Sequence, residues 1–193
     1  MASLPDPPVR LSQVGRTAHD LGLAGLLGGN LFGRLALHPS VTQISDKTER
    51  GKLVNAAWRR YGTVNSLSLL AVLGGWLGAR ANEAAPARLS GAERRLAVAK
   101  DALVVVVTVT GVTTAIEGVR FSKQAPGGAI PLEDGDHTAA EASEAQRSAK
   151  RRLKALGLAS LAAEIGLVGV NAALSQQGYR RPARRRALPW RRR

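Results

Sequence analysis

The chain contains no cysteine, which removes disulfides, thiolate nucleophiles and thiolate metal ligands from consideration. Its three histidines, His19, His38 and His137, are far apart in sequence. None stands in the i, i+4 spacing of a two-histidine metal helix, so neither a metal nor a cofactor is expected. There is no GxSxG elbow and no GxxxxGK[ST] phosphate loop. The nearest look-alike, residues 22–29, lies inside an apolar helical stretch and not at a strand-to-helix turn. Residues 133–137 (EDGDH) gather acid without the ligand spacing of an EF-hand and read as a solvated loop. Residues 1–10 (MASLPDPPVR) lack a basic segment followed by an apolar core, so they are not read as a cleavable signal peptide. No internal repeat is visible. With no catalytic constellation in sight, a non-enzymatic role is the leading expectation.

What the chain does have is segregation. Its mean hydropathy of -0.07 looks soluble, but the apolar residues gather in four blocks at 21–37, 63–79, 102–119 and 155–174. A membrane span needs about 20 mainly apolar residues, with a lower limit near about 17. Amphipathic helices of a soluble bundle show a charged face at every turn, and these blocks do not. The predicted fold class is therefore all-α: an integral membrane protein with an antiparallel bundle of four transmembrane helices. Residues 1–176 form the membrane domain and residues 177–193 a basic tail. The β-branched run 103–109 could pass for a strand, but its continuation to Val119 favours a span.

Helices are expected to extend beyond the lipid. Ser90 with Glu93, and Thr138 with Glu141, both fit the capping-box pattern. Between them, residues 123–137 carry the Pro and Gly punctuation of a loop.

Net charge is +14. In a soluble protein this would suggest nucleic acid; beside apolar spans it is better read as juxtamembrane charge facing anionic lipid headgroups. The tail holds Arg180, Arg181, Arg184, Arg185, Arg186, Arg191, Arg192 and Arg193, with Trp190 among them. By the positive-inside rule it is placed in the cytoplasm, and four spans then put the N-terminus there too. Usage of Arg, Ala, Gly and Val over Lys and Ile resembles that of a GC-rich bacterial genome, which would make the location the inner cell membrane.

Polar residues inside apolar blocks are expensive in lipid and tend to face protein or water. Asn30, Arg34 and His38 form a stripe on the first block. Asn65 and Ser68, with Gly75 further along the same face, mark the second, Thr110, Thr113 and Glu117 the third, and Gly157, Ser160, Glu164, Asn171 and Ser175 the fourth. The simplest packing turns all four stripes inward as a polar seam. Counting along the blocks places Arg34 and Glu117 at similar depth on one side, so an ion pair is expected between them. His38 and Asn65 belong near the same end. Asn30 and Glu164 both fall mid-block and are candidates for a mid-membrane hydrogen bond. Gly25, Gly29 and Gly33, and Gly74 with Gly78, form small-residue series that let backbones approach closely. Packing within the chain is favoured over a homodimer contact.

Three functional classes fit this outline. A scaffold, accessory or regulatory membrane protein suits the small size and the long tail, with a membrane-protein partner or a second copy as its target. A small proton- or ion-coupled carrier would use Glu164. An intramembrane enzyme on a lipid or quinone-like substrate would use Arg34, His38 and Glu117.

Overall fold

The computed structural model describes the backbone of residues 7–180 and the side chains of residues 13–177. The tail arginines from Arg181 onward, Trp190 and the side chain of Arg180 lie outside these described residues. Among the described residues the chain is helical, with no strand; a single isolated bridge joins Leu132 and Thr138.

Four long helices carry the four apolar blocks, the first block running past the end of its helix into a π turn. α1 spans Pro7–Phe32, α2 Lys47–Ala81, α3 Gly91–Ser122 and α4 Glu144–Arg180. α1 does not stop cleanly. It runs on through a π-helical turn, Gly33–Leu37, in which the amide of His38 bonds the carbonyl of Gly33, and then through a short turn of α-helix at His38–Ser40. Such a turn inserts one residue and rotates everything after it.

The starts of α2 to α4 have local causes. Asp46 accepts from the amides of Thr48 and Glu49 at the start of α2. Ser90 and Glu93 form the expected capping box at α3. The box expected at Thr138 does not form. The amide of Ala139 bonds the carbonyl of Pro131 at 3.0 Å, and residues 138–143 fold into the loop. α4 begins instead at Ser143 with Gln146, whose side chains cap each other's amides at 3.0 and 3.2 Å.

α1 lies along α2, and α3 lies along α4; α1 meets α4, and α2 meets α3, over shorter stretches. Glycine explains the first pairing. A Cβ at Gly22 would meet the backbone of Ser68; at Gly25, the Ser68 side chain; at Gly29, Tyr61; at Gly33, Trp58. α1 therefore packs its glycine edge on α2 within the chain. On α2 the matching position is Gly75, against Gly15 and His19, whereas Gly74 and Gly78 face open space. The close contact is thus made by Gly75, on the face of Asn65 and Ser68, and not by the series expected at 74 and 78. The Gly74–Gly75 doublet offers either face, and the partner helix decides which is used.

Two apolar clusters follow. One lies between the helices and includes Leu23, Leu26, Val72, Trp76, Val104, Val107 and Leu167. The other sits at one end, where residues 123–143 fold back as a cap: Ile130 and Leu132 are fully buried against Val41, Val54, Phe121 and Ala149. Arg50 on α2 fastens this cap through the carbonyls of Thr42, Ile44, Leu132 and Glu133.

The outward faces are apolar. Leu21, Leu35, Leu70, Val105 and Ile165 are 56–75% exposed, the reverse of what water would select. Three helices, Lys47–Ala81, Gly91–Ser122 and the described part of α4, Glu144–Gln177, are long and apolar enough to cross a membrane. α1 is rich in glycine, yields to the π turn at Gly33, and does not reach that level.

Close backbone approach makes a stability prediction. Gly22→Ala should destabilise the detergent-solubilised protein by about 1–3 kcal/mol, because the backbone it meets cannot move aside. Gly78→Ala should be neutral or stabilising by about 0.4–1 kcal/mol. Thermal unfolding of the two variants checks both signs.

Candidate functional site

The polar stripes of α1 and α4 face each other along the bundle. At mid-height Glu164 has no exposed surface. Asn30 donates to both of its oxygens at 2.8 and 2.9 Å, and Ser160, one turn earlier on α4, donates to Oε1 at 2.9 Å. The hydrogen bond expected between Asn30 and Glu164 is present. Two turns further along α4, Asn171 donates to Asp20 at 3.3 Å, while its own Oδ1 is buried without a protein partner. In the other direction, Gly157 leaves room for the Arg34 guanidinium, which donates to the carbonyl of Lys154 at 3.3 Å.

The ion pair expected between Arg34 and Glu117 does not form. Arg34 Nη1 stands 4.0 Å from Asp136 in the cap loop. Glu117 on α3 is taken by Arg120, one turn on, at 2.9 Å and by Arg152 of α4 at 3.8 Å. The physical reason is rotation. Equal depth sets height along the bundle but not direction around the helix, and α1 turns Arg34 toward α4 and the cap. The acidic loop expected to be solvated instead folds Asp136 back over the end of α1.

Asp136 also accepts from His38, with Nδ1 to Oδ1 at 3.0 Å. The other ring nitrogen of His38 lies 3.2 Å from Trp58 Nε1. An indole N–H can only donate. His38 Nε2 must then be the acceptor, and Nδ1 carries the single proton, donated to Asp136. His38 is held neutral. Burial holds it below the ordinary imidazole value, with the nearby Lys150 ammonium acting the same way, against the opposite pull of Asp136. Gly135 closes the contact: its amide bonds the carbonyl of His38 at 3.1 Å, and a side chain there would overlap the His38 ring. Arg34, His38, Pro39, Thr42, Asp134 and Asp136 line an open hollow of about 310 Å³.

The four-stripe seam narrows to two helices. On α3, Thr110 bonds the carbonyls of Val106 and Val107 on its own helix. On α2, Ser68 is buried against the glycine edge of α1, and Asn65 is half-buried without a side-chain hydrogen bond among the described residues. His19 sits at the end opposite His38 and reaches the carbonyl of Val72 at 2.8 Å. Beside it, Trp76 donates to Asp101 at 2.8 Å under the Lys100 ammonium, 4.2 Å from the ring. Among the described residues no group of three His, Asp or Glu side chains is placed to hold a metal ion.

Sequence reading missed Asp136, Trp58 and Tyr61 as parts of this arrangement. Tyr61 donates to the carbonyl of Gly25 at 2.7 Å. The available signal was weak: both aromatics precede the second apolar block by two to five residues, spaced three apart on one face.

No protein-family model, curated protein or solved structure matches the chain. The geometry alone carries the functional argument.

A double-mutant cycle separates the two pairings. Asn30→Ala with Glu164→Ala should show a coupling of about 1–2 kcal/mol, at or above the upper range for polar contacts between membrane helices. Arg34→Ala with Glu117→Ala should be additive within about 0.5 kcal/mol, since the two share no contact. Unfolding in detergent reads both.

Proposed function

We propose that the chain is a four-span membrane protein of the scaffolding or accessory kind, and that its polar seam fixes helix register. The observation that carries this reading is the state of Glu164. An acid in transit for a carrier must exchange its partners with water at each cycle, whereas Glu164 is fully enclosed and its oxygens accept three hydrogen bonds from Asn30 and Ser160. Polar contacts of this kind hold membrane helices in one register. The cap end supports the same reading: Trp58 occupies the nitrogen of His38 that a general base would need free.

α1 is taken as the fourth span. Its outward residues Leu21, Leu31, Phe32 and Leu35 are exposed, and its inward ones face α2 and α4. A surface helix would instead turn charge outward. The basic tail is assigned to the cytoplasmic face of the inner membrane, where each basic residue near anionic headgroups contributes about 1 kcal/mol. The cap then faces the other side. The lipid bilayer is the first partner, with a membrane protein or a second copy engaging the exposed helix faces; nucleic acid is disfavoured.

The competing reading is a proton-coupled carrier centred on Glu164. Liposomes containing the purified protein, given a pH gradient and a pH-sensitive dye inside, discriminate the two. The scaffold reading expects the same slow leak for the parent protein and for Glu164→Gln. A faster flux in the parent that Glu164→Gln abolishes would establish the carrier.

A further inference from the structure

The outer edge of the α1–α2 contact holds a narrow slot of about 190 Å³. Trp58 and Tyr61 of α2 lie over Gly33 and Gly29, and beside them Gly28 has no neighbour within 4 Å. Phe32 of α1 and Ala57 of α2 also line the slot. It opens away from the bundle. α4 takes a different side of α1, through Asn30 and Arg34, and α3 meets α2 where Leu69 lies against Gly111. Gly28 and Phe32 are exposed. The indole N–H of Trp58 is given to His38 and the Tyr61 hydroxyl to the carbonyl of Gly25, so both aromatics present ring surface to the slot. A cation stands at the rim. Arg60 follows Ala57 by three residues and is its neighbour on the helix surface. It is exposed, and no hydrogen bond or ion pair holds it among the described residues. Helix side chains lean toward the N-terminus of their helix. α2 begins at the cap, where the carbonyl of Lys47 accepts from the amide of Leu132 at 3.0 Å. Arg60 therefore leans along the slot toward the cap-side surface of the bilayer.

We propose that this slot binds one acyl chain of an anionic phospholipid whose phosphate is held by Arg60. Water in the slot would find no polar partner there, so hydrocarbon fills it. A chain lying in a recess touches protein on several sides and gains dispersion contacts that a convex leucine surface does not offer. With the polar ends of Trp58 and Tyr61 already used inside the chain, the headgroup is selected at the rim. A guanidinium meets two phosphate oxygens at once in a planar fork. A zwitterionic head offers the same phosphate but brings its own ammonium beside Arg60, so a head of net negative charge is favoured. The inference rests on α1 as a span, since a slot in water meets no acyl chains.

Trp58 in the slot wall makes the test direct, because bromine on an acyl chain quenches an indole that it touches. The protein is placed in phosphatidylcholine vesicles containing rising fractions of brominated phosphatidylglycerol or of brominated phosphatidylcholine. Trp58 emission is taken as the difference from Trp58→Phe. The site predicts half-maximal quenching at an about fivefold lower fraction of the brominated phosphatidylglycerol, the effect of one basic residue beside an anionic head. Arg60→Gln should bring the two lipids to parity. Arg59→Gln, an equal loss of charge at an exposed position on another face of α2, should keep the preference. Gly28→Leu, at a position where an added carbon meets nothing within 4 Å, should fill the slot and weaken quenching by both lipids. Equal quenching by the two lipids in the parent protein, equal loss of preference in Arg59→Gln and Arg60→Gln, or no effect of Gly28→Leu overturns the proposal. Quenching by neither lipid overturns it together with α1 as a span, which separates the two failures.

Discussion

A helix in lipid gains nothing by turning Leu toward another helix, because the acyl chains are equally apolar. Association depends instead on close contact, and here the glycine edge of α1 supplies it. Gly22, Gly25, Gly29 and Gly33 bring the backbone of α1 against Ser68, Tyr61 and Trp58 of α2. That contact fixes the rotation of α1. Asn30 is then aimed at Glu164, and the π turn that follows carries Arg34 and His38 to the gap between α4 and the cap.

With α1 seated on α2, and α3 on α4, the two hairpins are joined across α2 and α3 and, over a similar stretch, across α1 and α4. The α1–α4 joint is polar at three heights: Asp20 with Asn171, Asn30 with Glu164, and Arg34 with the carbonyl of Lys154. At Glu164 the match of donors and acceptor is complete, so a sliding or rotated arrangement would strand a fully buried carboxyl group. Arg34 carries the joint into the cap, where Asp136 meets both it and His38. The cap is a small core of its own, built on Ile130 and Leu132.

Some of this was legible in the sequence. The helices were, because each apolar block exceeds what a surface helix shows. The Asn30–Glu164 contact was, because both residues fall mid-block and depth can be counted along a helix. Direction around a helix cannot be counted in this way, and the pairing of Arg34 with Glu117 failed for that reason. The choice of Gly74 and Gly78 over Gly75 as the packing edge failed likewise, since a glycine doublet has no phase of its own. The cap was hidden because the buried anchors Ile130 and Leu132 are isolated apolar residues among Pro, Gly and acid. Only their tertiary neighbours make them a core.

Four spans require α1 to lie in lipid beside the other three helices. Spin labels placed singly at 21, 31 and 35, and at the inward positions 23 and 26, would be scanned in liposomes for collision with oxygen and with a water-soluble nickel chelate. A fourth span predicts high oxygen and low nickel accessibility at 21, 31 and 35, and low values of both at 23 and 26. High nickel accessibility at 21, 31 and 35 would place α1 in water and reduce the protein to three spans.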